Sequence, residues 1–213
     1  MSDVTAEAVE QLFTRSDGTY VFARWGRPMA PVVFGVDQRT LETVKGAFEA
    51  VAALTGRPLA DVDPELGTNV MLFFVRSWQE VLDTPDLDRL IPDLAPLVAR
   101  LEAADANQYR VFRFDAAGAI RACFAFVRMD AAMQSAPAET LALTQAVQVA
   151  LLWSDTAFGP DRGVLARTAE GHVVLAPNVG DVLRASYDPV MPDAAHDASH
   201  ALRLVARLRV VRQ

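Results

Sequence analysis

Residues 137–155, PAETLALTQAVQVALLWSD, decide how the chain is organised. Pro137 suits the first turn of a helix, where its missing N–H would have had no partner anyway. Ser135 or Ala136 then stands at the N-cap, and Glu139 lies at the positive end of the helix dipole. Between Glu139 and Asp155 no residue is charged. A helix apolar nearly all round is buried on most sides, so this segment is expected to fill the middle of a domain. Thr144, Gln145 and Gln148 place polar groups inside that apolar run. Thr144 and Gln148 are four apart and share a face, with Gln145 beside them.

That spacing is the geometry of His-Glu-x-x-His, in which two His on one helical face bind zinc and the Glu acts as general base on metal-bound water. Here the same slots read Thr144-Gln145-Ala146-Val147-Gln148. Hydroxyl and amide are poor zinc ligands, because zinc selects imidazole, thiolate or carboxylate. The Gln145 amide has no lone pair basic enough to take a proton at neutral pH. The bland reading is a core helix whose three polar side chains are satisfied by neighbours.

Working outward, the rest of the chain has the composition of a globular protein: 213 residues, 52% hydrophobic and 22% charged. The net charge of −7 argues against nucleic acid and anionic membrane surfaces as partners. A single cysteine, Cys123, excludes an internal disulfide and a cysteine-cluster metal site, and its strand context marks it as a small core residue. The first residues, MSDVTAEAVE, lack the basic and apolar regions of a signal peptide, and no apolar run reaches transmembrane length.

Val4 to Phe13 is expected to form a short helix within an N-terminal extension, residues 1–23. MAPVVFGV, starting at Met29, reads as the first core strand. Asp37 is a good N-cap for a helix over 38–55, with Leu41, Val44, Phe48, Val51 and Leu54 at helical spacing and Gly56 as its stop. Asp61, Asp63 and Glu65 resemble a calcium loop only briefly, since Pro64 interrupts the ligand spacing. The apolar run 69–75 is a buried strand, which makes a right-handed βαβ unit with parallel strands. Residues 76–106 read as a helical insertion with Leu87, Leu90, Ile91, Leu94, Leu97 and Leu101 as its apolar side. Runs 109–114 and 120–128 form a hairpin through Asp115-Ala-Ala-Gly118. After the central helix come a loop, TAFGPDRG, and a small hairpin around Glu170-Gly171. Asn178 and Asp181 have the spacing of a capping box for a short helix ending at Tyr187. Pro192 is expected to open a last helix that buries Ala198, Leu202, Val205 and Leu208.

This order of elements, strand, long helix, strand, hairpin, central helix, loop and C-terminal helix, resembles zincin metallopeptidase domains. In particular it resembles a bacterial domain-of-unknown-function family, often described as lipoproteins, that looks like a zincin with its metal site lost. Gln148, Leu152 and Asp155 match that family's central helix, and Asp181-Val-Leu183-Arg184-Ala-Ser-Tyr187-Asp188-Pro189 resembles a later stretch. Arg24, Trp25 and Pro28 before a Val-rich strand fit as well. Gln145 stands where the family has Glu, Leu151 stands where it has Gly, and its Ser-Ile-Phe-Asn-Asp segment is absent. The resemblance implies a single zincin-like α+β domain over 24–213, with a twisted mixed sheet, two long helices packed on it and a C-terminal helical part. It also implies a periplasmic or cell-envelope location, the alternative being cytoplasmic.

Two functions from different classes follow. The first is a non-catalytic pseudo-peptidase domain that binds a protein or peptide ligand, with no cofactor, and a cleft marked by Thr144, Gln145, Gln148, Asp155 and Tyr187. The second is a metal-dependent hydrolase using His196 and His200, which have i, i+4 spacing on the expected last helix, with Asp193 or His172 as a third ligand. Arg24 and Arg27 beside Trp25 are candidates for gripping an acidic ligand, against the commoner role of surface ion pairs.

Overall fold

The structure is a computed structural model and describes residues 5–159 and 162–211. Val4 of the first expected helix, and Pro160 and Asp161 of the expected loop, lie outside the described residues. Helix α1 (Ala6–Gln11) starts where Thr5 accepts a hydrogen bond from the Ala8 N–H. Strands β1 (Phe22–Ala23) and β2 (Pro31–Phe34) follow. Helix α2 (Gln38–Thr55) begins at Asp37, whose carboxylate accepts from the Thr40 N–H at 2.8 Å, and stops at left-handed Gly56. Next come β3 (Val70–Val75) and three short helices, α3 (Gln79–Leu82), α4 (Leu87–Leu90) and α5 (Leu94–Ala103). The hairpin is β4 (Gln108–Phe114) and β5 (Ile120–Arg128). Helix α6 (Ala131–Ser135) leads into the central α7 (Ala138–Ala150). The remainder is β6 (Leu165–Arg167), β7 (Val173–Leu175), α8 (Pro177–Ser186), β8 (Ala194–Ala195) and α9 (Ser199–Val211).

The main sheet has the order β2-β3-β5-β4. β2, β3 and β5 run parallel, and edge strand β4 is antiparallel to β5. Alternation along β3 sends Val70, Leu72 and Phe74 to one face and Phe73 and Val75 to the other. On the first face lie α2, through Val44, Phe48 and Val51, and α7, through Ala142, Ala146, Val147, Val149 and Ala150. The second face is covered by the helical insertion, whose Trp78, Val81, Leu87, Ile91, Leu94, Leu97, Val98 and Leu101 pack on Phe124 and Phe126. The result is an α+β domain with one mixed sheet between two helical layers. Gly35, at the end of β2, has φ +80°, and a Cβ there would lie 2.0 Å from the Phe74 carbonyl oxygen. The turn from β2 into α2 therefore needs glycine.

Several expectations are corrected. α7 ends at Ala150 rather than running to Leu152 or Asp155, because Leu151 turns extended and bridges Arg24, and the Leu152 N–H donates to the Ala23 carbonyl. The first turn of α7 follows Pro137, with no side-chain cap from Ser135. α8 has Pro177 in its first turn and Ala176 at its N-cap, so Asn178 lies inside the helix and closes no capping box. α9 starts at Ser199, since 194–195 are used to pair with β1. Leu208 is buried as expected, with Ala198 and Val205 against the core, but Leu202 is 62% exposed and Ala201 and Leu204 take its place inside. Leu90 of the insertion is also exposed. The segment read as an extension contributes Val9, Leu12, Phe13, Tyr20 and Phe22 to the main core.

Candidate functional site

The hairpin register decides which side chains of edge strand β4 meet α7. Gln108, Arg110 and Phe112 pair with Val127, Ala125 and Cys123, whose side chains belong to the α7 face. Arg110 therefore points at the middle of an apolar helix, and the polar groups of that helix receive it. Its Nη2 donates to Gln145 Oε1 at 2.6 Å, to Gln108 Oε1 at 3.1 Å and to Gln148 Oε1. Three amide oxygens thus share a nitrogen that carries two protons. The Gln145 amide in turn donates to Gln108 Oε1 at 2.8 Å. Among the described residues no carboxylate pairs with this guanidinium, and its Nε is sealed from solvent without a partner. Burial pushes the Arg110 guanidinium down to about 10, so it remains a cation at neutral pH.

A cleft of about 640 Å³ opens over this group. Its lining includes Gln108, Tyr109, Arg110 and Phe112 from β4, Gln148 from α7, Leu152, Trp153 and Phe158 beyond the helix, and Arg15, Asp17 and Asp155. Trp153 is held in place by stacking on Phe13 and by an edge contact with Phe158, with ring centroids 5.5 Å and 5.1 Å apart. Its indole N–H donates to the Val147 carbonyl at 2.9 Å. At the rim the Asp155 carboxylate takes the Ser16 hydroxyl at 2.5 Å and the Ser16 N–H at 3.0 Å, which hold its pKa below the usual carboxylate value. The lining carries two arginines and two aspartates, so its formal charge cancels.

The expected site residues separate into three groups. Gln148 and Asp155 line the cleft. Gln145 is fully buried behind it and acts on Arg110. Thr144 is half-buried and does not line the cleft, so the residues converging there are Gln145 and Gln148 rather than Thr144 and Gln148. Tyr187 lies elsewhere: its buried hydroxyl donates to the Ala150 carbonyl at 2.5 Å and satisfies the end of α7.

The remaining candidates have structural partners. Arg24 is buried and donates to Asp193 Oδ1 at 2.7 Å and to the carbonyls of Ser186, Asp188 and Met191. Arg27 pairs with Asp63 and Glu65. Asp63 also accepts the N–H groups of Glu65 and Leu66 and the Asn69 amide, so the acidic loop is a self-satisfied turn. His196 is exposed and precedes α9, whereas His200 is buried inside it with Nδ1 2.8 Å from the Tyr20 hydroxyl. The two imidazoles therefore share no helical face, and among the described residues no three His, Cys, Asp or Glu side chains gather as a metal site. Cys123 is a buried core residue whose thiol burial pushes up to about 12.

Arg110 is the functional candidate that sequence reasoning missed. The available signal was an arginine in a strand predicted to pair with the wholly apolar ACFAFV run of β5. Comparison of the chain with family models, with curated proteins and with solved structures found no match. No helix among the described residues is long and apolar enough to cross a membrane.

Proposed function

We propose that this chain is a non-catalytic, zincin-like binding domain whose ligand enters the cleft between β4 and the C-terminal half of α7. One observation carries the reading. Of the three helix slots where a zinc peptidase would place two imidazoles and a carboxylate base, two hold Gln145 and Gln148, and the Arg110 guanidinium lies against both. A fixed side-chain cation sits beside the place where a zincin would hold its metal, and it repels a divalent ion there. Amides supply neither the ligand set nor the base for metal-assisted hydrolysis. What the arrangement retains is a recessed cation, donor and acceptor amides and an aromatic wall, which are the parts of a recognition site.

Elemental analysis after equilibration with zinc, together with a casein hydrolysis assay, tests this. The expected result is no stoichiometric zinc and no turnover. Close to one zinc per chain with zinc-dependent hydrolysis would overturn the proposal.

A further inference from the structure

Resting on the binding-cleft reading, we infer that the cleft recognises the carboxylate of a small organic acid with an apolar or aromatic body. The argument starts from the unspent donor. In a guanidinium the Nε–H and one Nη2–H point in parallel and form the fork that takes a carboxylate through two hydrogen bonds. In Arg110 the Nε half of that fork has no partner, and the Nη2 half is shared among three neutral amide oxygens. One of the three belongs to half-buried Gln148 on the cleft wall. A ligand carboxylate that takes its place supplies a full negative charge where there was an amide dipole. Its second oxygen then comes within reach of Nε–H. The displaced Gln148 amide has N–H groups to turn toward the same anion.

The charge balance selects the class of anion. Arg110 and Arg15 are offset in the lining by Asp17 and Asp155, and both Asp155 oxygens are held by Ser16. A phosphate dianion would bring two charges to a lining whose two arginines are already offset by two rim carboxylates, which suits it poorly. A monocarboxylate needs only the recessed Arg110 guanidinium, which has no carboxylate of its own among the described residues. The body of the ligand is specified by Trp153, Phe158 and Leu152, which form an apolar wall beside the polar floor. A cleft of about 640 Å³ falls within the range of roughly 300–1,000 Å³ usual for small-molecule sites.

The test is calorimetric titration of the full chain with three probes that share one body or lack it: 3-phenylpropionate, 3-phenylpropionamide and inorganic phosphate. Tryptophan emission provides a second readout, because Trp25 and Trp78 are fully buried elsewhere and Trp153 alone of the three lines the cleft. The carboxylate should bind saturably and change the emission. The amide, which lacks the charge and replaces one acceptor oxygen with an NH2 donor, should bind about 10–100-fold more weakly, the factor expected for losing a charge-assisted hydrogen-bonded pair. Phosphate should bind more weakly still. Arg110→Met should reduce carboxylate binding by a similar factor and amide binding by less, which narrows the difference between the two probes. Arg110→Gln, checked by circular dichroism, serves if the Met variant fails to fold. Equal binding of acid and amide, or a preference for phosphate, would overturn the carboxylate proposal and leave the cleft as a binding site. No binding of any probe at up to about 10 mM would also overturn it. Zinc uptake and hydrolysis, not these titrations, decide the underlying reading.

Discussion

The two glutamines of α7 face different environments, and exchanging each for leucine should separate them. Gln145 is fully buried, accepts from Arg110 at 2.6 Å and donates to Gln108 at 2.8 Å. Gln145→Leu removes a hydrogen bond to a charged group, worth about 1.5–3 kcal/mol, and a neutral one worth about 0.5–1.5 kcal/mol. Burying a leucine side chain returns about 1.5 kcal/mol of that. The net loss should be about 0.5–3 kcal/mol, or about 1–12 °C in melting temperature for a chain of this size. Gln148 is half-buried on the cleft wall, where its neighbour Arg110 keeps two other amide oxygens. Gln148→Leu should therefore lie within about 0.5 kcal/mol of the native chain, or above it, as when a site residue is exchanged for stability. Urea unfolding followed by circular dichroism, with m-values compared, measures both. An equal loss at the two positions would show that both amides serve the fold, and would refute the assignment of Gln148 to a binding surface.

Two further outcomes follow from the fold. Burial, with Arg203 and Arg24 nearby, lowers the His200 pKa to about 4. Below about pH 6.5 the unfolded chain binds a proton that the folded one refuses, so stability should fall by about 2 kcal/mol between pH 7 and pH 5. Urea midpoints at the two pH values should show that slope flattened in His200→Gln, and an unchanged slope would refute the assignment. Gly35→Ala should destabilise by at least about 2 kcal/mol, because the left-handed backbone and the Phe74 carbonyl both oppose a side chain. A thermal melt matching the native chain would contradict that.

Most of the sheet and its helices were legible because their signals are local. α2 carries an Asp N-cap, a helical apolar period and a Gly stop, and its observed ends, Gln38–Thr55, match those expected. β3 and β5 are apolar on both sides, which is what strands buried between two helical layers require. The ends of α7 and α9 were not legible, because tertiary pairing set them. Leu151 and Leu152 are as apolar as a helix continuation, but their backbone is taken by Ala23 and Arg24. Ala194 and Ala195 pair with β1, which moves the start of α9 to Ser199. The site was half legible. Gln145 and Gln148 stood out as polar groups in an apolar helix. Arg110 did not, since an arginine in an edge strand looks like a solvent-facing residue until the register with β5 shows which layer it enters. Tyr187 was expected in the cleft, but its hydroxyl is used to close the end of α7.

The central claim, that Arg110 is the recognition group of a ligand-binding cleft, is tested most directly by ¹H–¹⁵N NMR of the uniformly labelled chain titrated with 3-phenylpropionate. The Arg110 Nε–H and the Trp153 indole N–H report on the floor and wall of the cleft, and the Trp25 and Trp78 indoles, bonded to the Val149 and Ala106 carbonyls, serve as internal controls. The account predicts a saturable shift of the Arg110 and Trp153 resonances with Trp25 and Trp78 unmoved. Shifts confined to the control indoles, or Arg110 and Trp153 resonances that stay fixed throughout the titration, would contradict it.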